Sequence, residues 1–209
     1  MTDLWRLYEL MLRSRELETA VARLWQAGLI SGEMHLGTGE EAIVAGVVDH
    51  LQDGDALALD HRGTPPLVMR GVAPAALLGE MLGQPAGLNG GRGGHMHLFA
   101  RDTLAASSGI VGAAGPAAAG FALANQYLRP GHIAVAFFGE GATNEGMLLE
   151  SFNLAACWRL PVIFVCKDNG MAITTPSSKV TGGDLLERLA GFGIPASAVD
   201  GSDVEAVWA

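Results

Sequence analysis

The sequence predicts an α/β fold, a mostly parallel sheet with helices on both faces. Three observations predict it. Two short, fully apolar runs at residues 133–138 and 161–166 flank a stretch of helical length, residues 143–158. Strand, helix and strand of those lengths make a right-handed parallel crossover. Residues 3–26 repeat apolar side chains at helical spacing, through Leu4, Leu7, Tyr8, Met11, Leu12, Leu17, Val21, Leu24 and Trp25. Finally, 29 glycines in a chain that is 49% hydrophobic fit a glycine-punctuated α/β enzyme rather than a disordered or fibrous chain. At 209 residues the chain is read as one domain, residues 1–209, long enough for a substantial core.

Taken in order, the first helix stops at Gly28. A loop over 32–41 leads into a helix ending near Leu51, and Asp53-Gly54-Asp55 is a turn. Residues 56–59 form a short strand that delivers Asp60-His61-Arg62-Gly63 to the sheet edge. Pro74 opens a helix through Met81, and residues 83–94 are a glycine-rich loop without regular structure. Residues 116–127 form a helix rich in small residues, able to pack closely on a neighbour. After the crossover come a helix over 184–190 stopped by Gly191, a strand over 194–199, and a capping box, Ser202-Asp203-Val204-Glu205.

The net charge of −9 argues against nucleic acid and against an anionic membrane surface as partners. Residues 1–15 read as an amphipathic helix rather than a signal peptide, and no apolar run reaches membrane-spanning length. The expectation is a cytoplasmic protein. Cys157 and Cys166 have no paired metal spacing and are read as buried apolar residues in a reducing compartment. His95 and His97 would share a face on a strand, but no third ligand stands at useful spacing for zinc.

The chemistry concentrates at the C-terminal ends of the two crossover strands, the edge where ligands bind in parallel sheets. Gly139-Glu140-Gly141-Ala142 follows the first strand, and Lys167-Asp168-Asn169-Gly170-Met171 follows the second. The crossover brings Glu140 and Asn169 side by side although they are 29 residues apart in sequence. A carboxylate and an amide carbonyl are hard oxygen ligands suited to magnesium or calcium. Gly141 allows close backbone approach to an anion, and the start of the following helix offers free N–H groups. A magnesium-bridged diphosphate is the ligand this arrangement implies. A dinucleotide site is the alternative, but the turn lacks Gly-x-Gly-x-x-Gly because Asn144 takes the sixth position, and no Gly-Lys-Ser/Thr follows a glycine loop.

Gly139-Glu140-Gly141, then 27 residues, then Asn169 resembles the thiamine-diphosphate signature, with Glu140 standing where that signature usually has Asp. The surrounding residues resemble the alpha subunit of the decarboxylating component of 2-oxo acid (pyruvate or branched-chain) or acetoin dehydrogenase complexes. The resemblance implies a thiamine-diphosphate-binding fold, with thiamine diphosphate and a magnesium ion as cofactors. It assigns the metal to Glu140, Asn169 and the Met171 carbonyl, and the diphosphate to His61, Arg62 and the backbone at Gly139, Gly141 and Ala142. Ser108-Gly109-Ile110-Val111-Gly112 resembles the turn holding the aminopyrimidine, through Gly109 and Val111. His35 matches a histidine at the active-site mouth and is the catalytic candidate. Departures from the family pattern are Thr64 for a histidine, His95 for serine in Gly91-Arg92-Gly93-Gly94-His95-Met96-His97, and Glu33 and Met171 for aromatics.

The resemblance also implies partners: a beta-type subunit supplying the glutamate that activates the cofactor, in an α2β2 assembly, and a lipoyl acyltransferase component. The assembled reaction would cleave a small 2-oxo acid or acetoin and transfer the acyl group to lipoamide, and this chain by itself would be inactive. Relatives run on beyond position 209, so the chain is read as C-terminally short, by truncation or because the missing part is supplied elsewhere. Two other readings stay open: a non-catalytic binding or assembly protein of this fold, and a fragment of a single-chain thiamine enzyme such as a transketolase.

Overall fold

The computed structural model describes residues 2–209. In chain order its elements are α1 (Leu4–Gln26), α2 (Glu41–Val48), β1 (Ala56–Leu59), α3 (Thr64–Met69), α4 (Pro74–Met81), β2 (Phe99–Ala100), β3 (Ala105–Ser107) and α5 (Ala114–Leu128). They continue with β4 (Ala134–Gly139), α6 (Gly146–Trp158), β5 (Val162–Lys167), β6 (Met171–Ala172), β7 (Thr175–Pro176), α7 (Leu185–Gly191) and α8 (Val204–Trp208). The chain divides into two compact units. The first takes the chain up to Asp53, His61–Gly109 and Asp200–Ala209; the second takes Gly54–Asp60 and Ile110–Val199. Among the described residues no helix is long and apolar enough to cross a membrane.

The second unit holds the parallel strands of the α/β fold. β4 pairs in parallel with β1, Ala56 opposite Ala134, and with β5, from Ala134 opposite Val162 to Gly139 opposite Lys167. Ala134, Val135, Ala136 and Phe137 are fully buried, which explains why this strand reads as a continuous apolar run. Buried Asp55 accepts the Ile133 N–H at 2.9 Å and lies 3.2 Å from His132 Nδ1, fixing the entry into β4. The small residues of α5 do serve close packing: a Cβ on Gly115 would come within 2.6 Å of Leu148 on α6.

Three expectations change here. The crossover helix starts at Gly146 rather than at 143, because Glu140–Asn144 first forms a 3-10 turn. In that turn the Thr143 hydroxyl donates to the Glu140 carbonyl at 2.6 Å. Residues 194–199 are irregular, with Val199 exposed: a strand pattern without a neighbouring strand has no ladder to join. Cys157 is exposed rather than buried, while Cys166 is partly buried and both thiols are free. Burial pushes the Cys166 thiol up to about 12, and Asp168 and Glu140 push the same way against Lys167.

In the first unit α1 buries Leu7, Leu17 and Val21, whereas Leu4, Tyr8, Leu12 and Trp25 of the expected stripe are exposed. Ser14 and Glu18 lie on the buried face. α3 was not expected. Its Pro65 and Pro66 occupy the first turn, where a missing N–H costs nothing, so they start a helix rather than break one. At the C-terminal end Asp203, not Ser202, is the N-cap of α8, accepting N–H groups from Glu205 and Ala206. The Ser202 hydroxyl donates instead to Asp200 at 2.6 Å. The five-residue helix is too short to stand alone. It packs on α2: a Cβ on Gly46 would lie 2.7 Å from Val207, and Trp208 Nε1 donates to Asp49 at 2.9 Å.

The loop over 83–94 contains no helix or strand, yet it is tightly held. Glu80 on α4 is fully buried and accepts N–H groups from Asn89, Gly91 and Gly93 at 2.7, 2.9 and 2.5 Å. Burial disfavours this carboxylate, but the N–H groups of Gly93, Asn89, Gly91 and Arg92 outweigh it and hold the pKa below the usual range. Gly91 has φ of 75°, and a Cβ there would sit 2.4 Å from the Gly83 carbonyl carbon. Only glycine fits.

Candidate functional site

In the second unit the site residues follow from strand register. Gly139 pairs with Lys167, so Glu140 leaves the end of β4 next to the point where β5 delivers Asp168 and Asn169. The Glu140 side chain is buried, and its Oε1 accepts the Ser177 hydroxyl at 2.8 Å. Gly141 presses on the next turn: a Cβ there would come 2.8 Å from the Ala172 Cβ. Ala142 is buried beside it. Asn169 Oδ1 accepts the Met171 N–H at 2.9 Å and Asp168 accepts the Gly170 N–H at 2.8 Å, which shapes the turn into β6. Met171 opens β6 with an exposed side chain, and β6 pairs antiparallel with β7. Behind the turn, buried Lys167 Nζ lies 3.0 Å from Asp60 Oδ2. Val111 sits in the exposed turn leading to α5.

In the first unit a second group of candidates comes together. The rings of His35 and His61 meet edge to face with centroids 4.7 Å apart, and His35 and His95 stack at 5.9 Å. Arg62 Nη1 donates to the Leu36 carbonyl, and Arg62 Nε lies 3.5 Å from Glu40 Oε1. Gly109 closes this unit in the chain, where a Cβ would meet Met96 Sδ at 3.2 Å and His97 Nε2 at 3.4 Å. His95 and His97 lie at a turn rather than on one strand face.

Two residues around this group, Glu18 and Glu41, were not singled out from sequence, and His95 was considered there for zinc and as the replacement for serine rather than for the contact it makes. Buried His95 Nε2 accepts the His35 N–H at 3.1 Å. Burial lowers the His95 pKa to about 4, reinforced by His35, His61 and His97, so the ring is neutral and able to accept. Glu18 on α1, 2% exposed, accepts the Gly37 N–H at 2.8 Å. Burial raises its carboxyl to about 7; the Gly37 N–H opposes, Glu41 and Glu40 add to the rise, and Arg62 lowers it. Glu41 behaves differently. Burial works to raise it, but Arg15 at 2.5 and 2.9 Å and the Gly39 N–H win and hold it below the usual range.

Among the described residues no cluster of three or more His, Cys, Asp or Glu could hold a metal ion. The candidate set at the β4 and β5 ends is of another kind, one carboxylate with an amide oxygen and a main-chain carbonyl. Those donors fit a hard divalent cation of the magnesium class.

An alpha subunit of acetoin:2,6-dichlorophenolindophenol oxidoreductase from Cupriavidus necator is 42% identical over 202 residues, 96% of this chain and 61% of that protein. The pyruvate dehydrogenase E1 component subunit alpha of Zymomonas mobilis is 40% identical over 205 residues, 97% of this chain and 58% of that protein. The chain thus spans about three fifths of the length of these curated relatives. A transketolase structure from Campylobacter jejuni matches 99% of this chain and 35% of its own, with a TM-score of 0.74 at 18% identity. That likeness speaks for the fold alone. The dehydrogenase E1 component family matches residues 9–209, and the chain belongs to it.

Proposed function

We propose that this chain is the alpha-type part of a thiamine-diphosphate- and magnesium-dependent dehydrogenase component acting on a 2-oxo acid or acetoin. The observation that carries the reading is the register of β4 on β5, which puts Glu140 and Asn169 at neighbouring strand ends. The names of the curated relatives, alpha subunits of acetoin:2,6-dichlorophenolindophenol oxidoreductase and of the pyruvate dehydrogenase E1 component, support it.

In this reading Glu140, Asn169 and the Met171 carbonyl hold the magnesium ion. His61, Arg62 and the backbone from Gly139 to Ala142 take the diphosphate oxygens, where the forked guanidinium of Arg62 suits a phosphate. Gly109 and Val111 contact the pyrimidine, and His35 faces the substrate. Bound thiamine diphosphate supplies the carbon nucleophile for a 2-oxo carbonyl. The chain's own residues position it, neutralise its charge and keep His35 oriented. A beta-type subunit supplies the activating glutamate, and a lipoyl group of an acyltransferase component accepts the acyl group. A non-catalytic assembly protein is the second reading. It is favoured by the Ser177 hydroxyl on Glu140 and by the Met171 N–H on Asn169, which engage the donor oxygens internally.

The test is titration of thiamine diphosphate into the chain assembled with its beta-type partner, with and without magnesium. Binding should require magnesium, and Asn169→Ala should weaken it by about 10- to 100-fold. Unchanged affinity in that variant would end the metal assignment. No binding by the unaltered assembly under either condition would favour the assembly-protein reading.

A further inference from the structure

Three consecutive residues of the loop between α1 and α2 are each held by a side chain from elsewhere in the first unit. The His35 N–H is accepted by His95 Nε2 at 3.1 Å, the Leu36 carbonyl takes the Arg62 guanidinium, and the Gly37 N–H is accepted by Glu18 Oε2 at 2.8 Å. His95 and Glu18 are both nearly inaccessible to water, at 6% and 2% exposure. Buried acceptors of this kind are costly to leave unpaired, so each is committed to its amide. Gly37 adds a steric reason for the fixed path, since a Cβ there would lie 2.4 Å from the Pro65 ring. The loop is therefore clamped on both N–H groups that flank Leu36, and the His35 ring lies between the His61 ring, met edge to face, and the His95 ring, on which it stacks.

We propose that His95 and Glu18 are positioning residues that clamp the segment 35–37 and thereby set the His35 imidazole. The clamp stands on the geometry of the first unit; its value to the reaction rests on the function proposed above. The two acceptors differ in how they respond to protonation. A histidine that accepts through Nε2 loses the bond when that nitrogen is protonated, whereas a protonated carboxyl still offers its carbonyl oxygen. The groups facing His95 are His35, His61 and His97, and those facing Glu18 are Glu40, Glu41 and Arg62, with Arg15 bound to Glu41. Glu33, 3.7 Å from His35 Nε2, completes the charged surroundings of the loop. Acid should therefore release the His35 amide before the Gly37 amide.

The experiment is amide hydrogen exchange on the assembled protein, compared with steady-state kinetics. In His95→Ala the His35 amide should exchange on the order of tenfold faster, as for the loss of one buried hydrogen bond. In Glu18→Ala the Gly37 amide should do the same, and Glu18→Gln, which keeps an oxygen acceptor, should restore it. Amides within α1 report whether the fold itself has been lost; if they too exchange freely in an alanine variant, His95→Gln and Glu18→Gln replace it. Unchanged exchange at both His35 and Gly37 in variants with α1 intact overturns the clamp. Faster exchange together with a higher KM and unaltered thiamine diphosphate affinity supports positioning of His35. Faster exchange with unaltered KM and kcat overturns the positioning role while leaving the cofactor assignment standing. Loss of thiamine diphosphate binding in Asn169→Ala, or its persistence, decides that assignment separately.

Discussion

The end of the β4–β5 pair and the loop over 83–94 both hold backbone in a fixed place, by opposite means. At the strand ends, six consecutive residue pairs from Ala134–Val162 to Gly139–Lys167 define the position of Glu140 and Asn169 through main-chain register. Any one side chain contributes little to that register. In the loop no ladder exists, and a single carboxylate, Glu80, gathers three N–H groups. The first arrangement spreads its load over many bonds. The second concentrates it on one residue. Tolerance to substitution should differ accordingly.

The largest expected effect is at the concentrated end. Glu80→Ala leaves the part-buried N–H groups of Asn89, Gly91 and Gly93 without an acceptor, and should cost about 3–5 kcal/mol of unfolding free energy. Urea denaturation would show it; a cost below about 1 kcal/mol would mean the loop does not depend on this carboxylate. Because the Glu80 pKa is held low, its contribution should be complete above the ordinary carboxylate range and fade as pH falls through it.

An intermediate effect of opposite pH sign belongs to Glu18, whose carboxyl is raised to about 7. The protonated form is the one the fold prefers, so wild-type stability should decline as pH rises from the carboxylate range towards 7 and then level off. Glu18→Gln removes that decline. The variant should gain on wild type by about 3 kcal/mol at pH 8 relative to pH 4, and parallel stability curves for the two proteins would refute the assignment. The smallest effect is expected at the strand ends. Ser177→Ala removes the hydroxyl bonded to Glu140 and should cost about 1 kcal/mol, without altering amide protection along β4 and β5. Loss of that protection would show that the register is less self-sufficient than its hydrogen bonds suggest.

The same contrast explains what could be read from the amino acids. The apolar runs at 133–138 and 161–166 announce the parallel strands β4 and β5 one residue early, though only β4 is buried along most of its length, and Pro74–Met81 and Ala56–Leu59 were expected with their observed bounds. The helix expected over 184–190 is present one residue later, with Asp184 as its cap because that side chain meets the Glu187 N–H within its own turn, and with Gly191 inside the helix rather than stopping it. Features that depend on distant partners were not legible. The β2–β3 pair is short, and its alignment rests on Ser107, whose Oγ accepts the Leu98 N–H and donates to the Met96 carbonyl. Glu18, Asp55 and Glu80 read as ordinary surface acids, since nothing local says that backbone N–H groups will converge on them. Residues of the candidate site followed the same division. Glu140 and Asn169 were found from strand ends, whereas the role of His95 at the His35 amide required the folded loop.

The seating of Trp208 on Asp49 has a consequence for how the molecule is made. The two residues stand 159 positions apart in the chain. Everything between them, including all of the second unit, is synthesised before α2 can receive its covering helix. At ordinary elongation rates of about 5–20 residues per second, that is a wait on the order of ten seconds. Through that interval the apolar side of α2 that will take Val207 is open to solvent or to a chaperone. Closing so long a loop makes completion of the first unit a late and slow event. A ribosome-bound nascent chain stopped short of α8 should therefore be more protease-sensitive within α2 than the released protein.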